Sequence, residues 1–356
     1  MLSYDEIWSI VNRWGIDMRV TRLRNLVLLV QGILGSRSGC LSAIVRHWSW
    51  GAQKHVHRLK RLHRFLKNPK VSVIPVFRSA AAVIWPNRPG GERTSFLPIA
   101  IDWTKVHATH LLFAAVPRRK RALPLAFGSY RDLRHSQNKL ERGLCILCAS
   151  LLPRETRPLF LADAGFGRTE FVRFLQRKGF AYVVRLRPNT HIHYRGRTFP
   201  LKELNTADGL PTFFTDVYYR ASKPVRINLV VSRKGKKVWY LATTFENAAR
   251  TVAWYKKRFW IEEMFRDFKS RLGLRKSHLQ DEKRLNRLLL GYQIAYLILA
   301  LVALNTPKRW QAYLSSRPRA GLAWLALEVL ALLKRKRRHR KVWRSRIWPA
   351  LVFQSG

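Results

Sequence analysis

The sequence predicts an α/β protein in which a mixed β-sheet is interrupted by an all-β insertion and flanked by helical regions. Three observations support this fold class. Short apolar runs alternate with helical patterns between about 93 and 188, only strand patterns occur from 189 to 248, and helical patterns fill the remainder. The 356 residues suffice for two or three domains, and a hydrophobic content of 47% provides a sizeable core.

Residues 1–92 form the first predicted unit, a helical and strongly basic domain. Its segment AQKHVHRLKRLHRFLKN carries closely spaced cationic side chains, namely Lys54, His57, Arg58, Arg61, Arg64 and Lys67. Pro69 and Pro75 end this run, because proline cannot continue a helix interior. We expect a DNA-binding module. A solvated helix with no specific partner is the alternative.

Residues 93–188 form the first part of the predicted core. Three successive strands are predicted by FLPIAIDW, HLLFAAVP and RALPLAFGSY, and a helix follows at about Asp132–Leu152. A fourth strand is predicted by PLFLAD, and a helix lies around Thr169–Lys178. A fifth strand is predicted by FAYVVRLRP. The order β-β-β-α-β-α-β is that of a ribonuclease-H-like fold.

The pattern changes to strands alone after Pro188. PTFFTDVYY, PVRINLVVS and KVWYLATTF predict an all-β insertion at 189–248. Residues 249–305 then return the chain to the core. Residues 306–356 are predicted to be a basic helical C-terminal region, whose segment KRKRRHRKVWRSR at 334–346 suits phosphate binding or solvation.

One predicted helix, within YKKRFWIEEMFRDFKS, places four polar residues along one side. At about 100° per residue they fall within an arc of about 60°; they are Tyr255, Arg258, Glu262 and Lys269. The adjacent face is apolar, with Ile261, Met264, Phe265, Phe268 and Leu272. Glu263 and Asp267 point away from the polar stripe, and we expect them to pair with basic neighbours such as Arg266. Geometry alone also fits a solvated face of an amphipathic helix.

The chain has only 20 acidic residues, so their positions are informative. Asp102 and Asp163 end the first and fourth predicted strands, which are neighbours in a ribonuclease-H-like sheet, and Glu262 could complete the set. Clustered carboxylates repel one another, and hard cations prefer such oxygen ligands. Two Mg²⁺ or Mn²⁺ ions there could activate a water or 3′-hydroxyl and stabilise a leaving oxygen. Either aspartate alone could instead be a strand-end cap or an arginine partner.

The net charge of +48 predicts a polyanionic partner. Sixty-eight Lys and Arg residues face 20 acidic ones, so a compact fold costs self-repulsion unless a polyanion neutralises it. The cations are spread along the whole chain and interleaved with Trp, Tyr and Phe. That distribution suits double-stranded DNA better than a juxtamembrane patch.

Cysteine usage and hydropathy favour a cytoplasmic, nucleoid-associated protein outside the membrane. Three Cys argue against a disulfide scaffold, and the opening MLSYDEIW lacks the apolar stretch of a signal peptide. Cys145 and Cys148 form a lone C-x-x-C in a helical pattern, which we interpret as packed small side chains rather than a zinc site. The apolar run Leu288–Leu304 is at the short limit of a spanning helix and is interpreted as a core helix.

The spacing Y-x2-R-x3-E-x6-K of Tyr255, Arg258, Glu262 and Lys269 resembles the YREK signature of bacterial DDE transposases of the IS-four family, which includes the Tn-five transposase. DWT at 102–104, ADAGFGR at 162–168, the all-β insertion and HLQDEKRLNRLLLGYQIAY at 278–296 are also similar to that family. The resemblance covers about residues 95–305.

The resemblance implies roles for individual residues. Asp102, Asp163 and Glu262 would be the metal-binding catalytic triad, and Tyr255, Arg258 and Lys269 would contact phosphates of the transposon end. Trp239 would stack on a base flipped out of the duplex, an interaction worth ~1–3 kcal/mol; strand packing is the alternative for this residue. The family often has Arg directly after the second Asp, where this chain has Ala164, and Arg168 could supply the charge.

The resemblance also implies a reaction. A transposase would bind the inverted repeats of its element as a homodimer, cleave the end phosphodiester, pass through a hairpin in cut-and-paste members, and transfer the 3′-hydroxyl ends into target DNA. Two other classes remain open: a ribonuclease-H-like nuclease or resolvase without strand transfer, and a catalytically inactive DNA-binding protein. A basic membrane protein built around Leu288–Leu304 is the remaining alternative.

Overall fold

The computed structural model describes residues 2–51, 53–85, 96–118, 120–132, 137–153, 156–204, 206–219, 224–307, 326–331 and 347–352. The basic segment 334–346 that the sequence singles out lies outside these ranges. Of the C-terminal region, a short helix at Trp348–Val352 is described.

Five α-helices precede the sheet: α1 (Tyr4–Arg13), α2 (Val20–Ser36), α3 (Leu41–Arg46), α4 (His55–Lys67) and α5 (Ile74–Ile84). A capping box starts α1, where the Ser3 hydroxyl accepts from the Glu6 N–H at 3.1 Å and the Glu6 carboxylate accepts from the Ser3 N–H at 2.8 Å. Pro75 lies in the first turn of α5, where a missing N–H costs nothing. The helical character predicted for this region is confirmed.

Ten strands form one mixed sheet: β1 (Phe96–Val106), β2 (Thr109–Arg118), β3 (Arg121–Tyr130), β4 (Arg157–Ala162), β5 (Ala181–Leu186), β6 (His191–Tyr194), β7 (Arg197–Pro200), β8 (Thr212–Tyr219), β9 (Val225–Lys234) and β10 (Lys237–Thr243). Their spatial order is β3-β2-β1-β4-β5-β10-β9-β8-β6-β7. The first three are antiparallel, whereas β4 is parallel to both β1 and β5. The predicted adjacency of the first and fourth strands is therefore confirmed.

The strands of the predicted all-β insertion interrupt the core in sequence, but in space they continue its sheet from the β5 edge. Its last strand, β10, pairs antiparallel with β5, from Tyr240↔Leu186 to Thr243↔Val183. The open edge of β5 carries unpaired backbone groups, and β10 satisfies them. The short strands β6 and β7 were not predicted, because only a few residues in each are apolar. They pair with each other and continue the sheet beyond β8.

Helices cover the sheet: α6 (Gln137–Ser150), α7 (Thr169–Arg177), α8 (Ala248–Arg258), α9 (Trp260–Arg266) and α10 (Glu282–Asn305). The prediction that one continuous helix carries the polar stripe is wrong. The helix breaks at Phe259, so that Tyr255 and Arg258 lie on α8 and Glu262 lies on α9. There the Glu262 N–H bonds to the Phe259 carbonyl at 3.2 Å, a tightened i→i−3 contact. A π-helical turn, Asp267–Arg271, follows α9. The apolar face is buried as predicted, for example at Ile261 and Met264.

Helix α10 runs through the centre of the core and contacts α2 and β3. Of the described helices, it alone has the length and hydropathy of a membrane span, and it is mostly buried inside the protein. Gly291 permits the close approach to α2, because a Cβ there would lie 2.6 Å from Leu29 Cγ. The core-helix prediction is confirmed. Cys145 and Cys148 are likewise buried with free thiols.

Candidate active site

The two aspartates lie side by side where β1 and β4 part. The pairing of these strands ends at Ile101↔Ala162, and Asp102 and Asp163 each follow immediately. Asp102 does not end β1, as the sequence suggested; it lies within the strand, which continues to Val106 by pairing with β2. Local hydrogen bonds fix both carboxylates: Asp102 Oδ1 accepts from the Trp103 N–H at 2.8 Å, and Asp163 Oδ1 from the Gly165 N–H at 2.9 Å.

Arg258 joins Glu262 to this pair. Its Nη1 lies 3.2 Å from Asp102 Oδ2, and its Nη2 lies 2.5 Å from Glu262 Oε1. The guanidinium is buried at the end of α8, whereas the Glu262 side chain in the first turn of α9 is half-exposed. The break between α8 and α9 therefore still leaves Arg258 and Glu262 on one side, and a cation bridges two of the three predicted ligands.

The electrostatics of Asp102 show that the three carboxylates lie close together. The pKa of Asp102 is raised from 3.8 to about 7, mainly by burial, which the Arg258 cation opposes and the negative charges of Asp163 and Glu262 reinforce. A carboxyl group with a strongly raised pKa is typical of a functional site in which a bound cation would stabilise the ionised form.

The donor set suits a divalent cation, although the free chain does not hold the ligands in a metal-binding arrangement. Among the described residues, no three His, Cys, Asp or Glu side chains are close enough to hold a metal ion as they stand. The Arg258 guanidinium lies between Asp102 and Glu262 and supplies the positive charge instead. Carboxylate oxygens are the ligands that Mg²⁺ and Mn²⁺ prefer, so the chemistry of the residues fits these ions once Arg258 is withdrawn.

Lys269, in the π-helical turn, contacts β1 close to Asp102. Its Nζ lies 2.5 Å from Thr104 Oγ1, and Thr104 is two residues beyond Asp102 on β1, hence on the same face of the strand. Burial and the neighbouring Arg275 cation lower the pKa of Lys269, while Asp102 opposes the change. The structure thus brings all four YREK residues and both aspartates into one region.

Tyr255 and Trp239 form an aromatic cluster beside Arg258. Their ring centroids are 5.1 Å apart, and the Trp239 ring also stacks on Phe259 at 5.9 Å. Trp239 is half-buried, and Tyr255 is fully buried. The Trp239 Nε1 atom is buried and finds no hydrogen-bond partner among the described residues. The Tyr255 hydroxyl is buried beside Arg258, and its interaction with this cation opposes the rise that burial causes in the pKa of Tyr255.

A fourth carboxylate, Glu141, connects the two aspartate segments and was missed from the sequence. Glu141 is buried on α6, where its Oε1 accepts from Trp103 Nε1 at 2.7 Å and its Oε2 accepts from Arg168. Arg168 Nη1 also donates to the Gly165 carbonyl at 2.6 Å. Burial raises the pKa of Glu141 to about 7, and Asp163 contributes to the rise. Arg168 is therefore a partner of Glu141, and the role suggested for its charge beside Asp163 stays a prediction.

The two other acidic residues of this segment lie outside the site, as predicted. Glu263 pairs with Arg266 at 2.7 Å, and Asp267 pairs with Arg271 at 2.9 Å. Arg121 on β3 lies 3.5 Å from each of these carboxylates. Glu262 is thus the acidic residue of α9 that faces the aspartates.

One comparison with known proteins matches part of the chain to a protein family. Residues 133–298, slightly less than half of the chain, match the family model described as the transposase DDE domain. The matched range contains Asp163 and Glu262, whereas Asp102 precedes it. These residues are thus similar to the DDE domains of transposases. The matching family model does not name the IS-four family, which stays a prediction.

No curated protein matches the chain. Among solved structures, one similar chain is that of piggyBac transposase, determined by cryo-electron microscopy as a synaptic complex with hairpin DNA. The two chains share 11% sequence identity with a TM-score of 0.45, and the alignment covers 98% of this chain and 77% of the other.

Proposed function

We propose that this protein is a DDE transposase of the IS-four type with a ribonuclease-H-like core. The observation that carries the proposal is that the Arg258 guanidinium bridges Asp102 and Glu262, while Asp163 lies beside Asp102 where the pairing of β1 with β4 ends. The strand order β3-β2-β1-β4-β5 supports the fold assignment. The family match over 133–298 supports the reaction class.

The three carboxylates would hold two Mg²⁺ or Mn²⁺ ions. When bound, such ions make a water or 3′-hydroxyl more nucleophilic and stabilise the leaving oxygen of a phosphodiester. Glu141 would keep the two aspartates in register, because it bonds to Trp103, next to Asp102, and to Arg168, which donates to the carbonyl of Gly165 two residues beyond Asp163. A carboxylate cluster fits a chain of net charge +48 only if it serves cations that the reaction needs.

Arg258, Lys269 and Tyr255 would hold the phosphates next to the bond that is cut. Arg258 is bridged to Asp102 and Glu262 in the free chain, and a DNA phosphate would offer it a replacement partner with matching bidentate geometry. Lys269 and Tyr255 lie on either side of it along the chain. The buried Trp239 Nε1 is a donor that a nucleotide could satisfy.

Trp239 would receive the flipped base of a hairpin intermediate. The indole lies on β10 next to Tyr255, so a base stacked on it would be close to the carboxylates. Its contact with Phe259 fits the alternative of strand packing, and a substitution separates the two roles. Binding of inverted-repeat ends, a homodimeric DNA complex and strand transfer into target DNA complete the proposed reaction.

The experiment uses the DNA that flanks the reading frame, which should carry short inverted repeats. The protein is incubated with these ends and Mg²⁺, and cleaved and joined products are resolved on denaturing gels. We expect Asp102→Ala, Asp163→Ala and Glu262→Ala each to abolish cleavage while binding of the same DNA persists. Full cleavage by any one of them would remove that residue from the triad.

The same products separate the proposal from its alternatives. Cleaved ends without joined products would indicate a nuclease or resolvase. Binding without cleavage in Mg²⁺ and in Mn²⁺ would indicate a catalytically inactive DNA-binding protein.

A further inference from the structure

A basic cavity lies between α2 and α4, in the N-terminal helical region. It has a volume of about 390 Å³ and is lined by Arg22, Asn25, Arg61, Arg64, Phe65 and Asn68. Arg22 and Asn25 are three positions apart on α2, and Arg61 lies three and four positions before Arg64 and Phe65 on α4, so one side of each helix lines the cavity. None of these lining residues is acidic, which leaves three arginines around one cavity without a carboxylate.

The cations in this cavity repel one another. Arg61 is half-buried, and its pKa is lowered mainly by burial, which Tyr4 opposes and the positive charges of Arg64 and Arg24 reinforce. Holding such cations together costs free energy in the free protein, and a bound anion would reverse that cost. The charge distribution therefore favours an anionic ligand.

Neighbouring groups hold the Arg61 guanidinium in a fixed orientation. Its Nε donates to Asn25 Oδ1 at 2.6 Å, and its central carbon lies 5.2 Å from the ring centroid of Trp50. Within the described part of the chain, no residue accepts a hydrogen bond from its Nη1 or Nη2. Arg22 is also held, since its Nη1 donates to the Lys70 carbonyl at 3.2 Å. A guanidinium fixed in this way loses little freedom when it binds a phosphate.

The surroundings of the cavity favour a polymer over a free anion. Exposed Lys54 and Lys67 extend the positive charge to both ends of α4. Trp50 is 42% exposed, and Tyr4 stacks on it at 5.5 Å, so an aromatic surface adjoins the arginines. A small anion would fill only the cavity, whereas a nucleic acid would also follow the charged helix.

We propose that this cavity binds one backbone phosphate of duplex DNA and thereby anchors the N-terminal helices on the DNA. The inference rests on the proposed function, because that function supplies DNA as the partner. It adds a specific contact site in a region for which the sequence indicated only basicity.

The test measures how DNA affinity depends on salt. The full-length protein is titrated with a fluorescein-labelled 30-base-pair duplex in EDTA, and anisotropy is recorded at several KCl concentrations. The variant Arg61→Gln/Arg64→Gln should lower the slope of log affinity against log salt by about 0.9, the value for one phosphate contact. The matched control Arg177→Gln/Lys178→Gln removes two exposed cations at the end of α7 and should leave the slope unchanged.

The outcomes distinguish this proposal from the proposed function. If the wild type does not bind the duplex, the proposed function fails. If the wild type binds and the cavity variant has the wild-type slope, only the cavity proposal fails. The variant Arg64→Gln alone, on an exposed side chain, repeats the test without a risk to folding. Inorganic phosphate, added at the concentration of phosphate groups that the duplex supplies, should not displace the duplex from the wild type. Displacement from the wild type but not from the cavity variant would assign the cavity to a free anion.

Discussion

The substitution Asp102→Asn should stabilise the metal-free protein at alkaline pH, although it removes a proposed catalytic group. Asp102 is buried beside Asp163 and Glu262, and its pKa is about 7 in the folded chain against an ordinary value of 3.8. The folded state therefore binds more protons than the unfolded state between these values, and stability falls as the pH rises from about 4 to about 7. Asparagine occupies the same volume without this titration.

The expected magnitude follows from that difference. One pH unit corresponds to about 1.4 kcal/mol, so ionising Asp102 in the folded chain costs about 4 kcal/mol at pH 8. The asparagine variant should be more stable than the wild type by up to about this amount at pH 8 and by much less at pH 4. This magnitude already includes the loss of the contact between Asp102 and Arg258, because the Arg258 cation is one of the causes that set the pKa of Asp102.

Urea unfolding followed by tryptophan fluorescence at pH 5 and pH 8, with EDTA present, provides the measurement. The control Asp17→Asn removes one exposed carboxylate and should change the free energy of unfolding by less than about 0.5 kcal/mol at either pH. Saturating Mg²⁺ at pH 8 should stabilise the wild type more than Asp102→Asn. A variant less stable than the wild type at pH 8, or a difference that does not grow with pH, would refute the electrostatic account of the site.

Three further predictions concern positioning, base stacking and packing. Glu141→Gln should reduce cleavage of end DNA by about 10–100-fold, as is typical for residues that orient metal ligands; an unchanged rate in a single-turnover assay would contradict the positioning role. Trp239→Ala should impair hairpin formation more than first-strand nicking on a denaturing gel, and equal losses at both steps would favour strand packing. Gly291→Ala should lower the free energy of unfolding in urea by about 1–3 kcal/mol, because its Cβ would meet Leu29. The matched control Gly143→Ala on α6 has no atom within 4 Å of the new Cβ and should be neutral or stabilising.

Eight of the ten described strands and the central position of α10 could be predicted because local patterns determine them. Apolar runs such as FLPIAIDW and PLFLAD become buried strands, and the parallel pairing of β1 with β4 places Asp102 beside Asp163. The break at Phe259 could not be predicted, because a uniform 100° per residue assumes an undistorted helix. The stripe survives only in part, with Arg258 and Glu262 in direct contact and Lys269 reaching the site through Thr104.

Glu141 illustrates what local patterns leave out. Its two partners, Trp103 and Arg168, are 38 and 27 residues away, and no motif marks the position. The scarcity of acidic residues was the signal that could have drawn attention to it, since an acidic residue in an apolar helical pattern requires a partner once it is buried. The contacts of Arg258 depend on tertiary structure in the same way. Spacing placed it next to Glu262, but its contact with Asp102 requires α8 to lie across β1.

The most direct test of the carboxylate site is anomalous diffraction from crystals of the protein bound to end DNA and soaked with Mn²⁺. We predict manganese peaks bounded by the oxygens of Asp102, Asp163 and Glu262, with Arg258 withdrawn from both carboxylates and bound to a DNA phosphate. Manganese absent from this position, or Arg258 still bridging Asp102 and Glu262 in the DNA complex, would contradict the account.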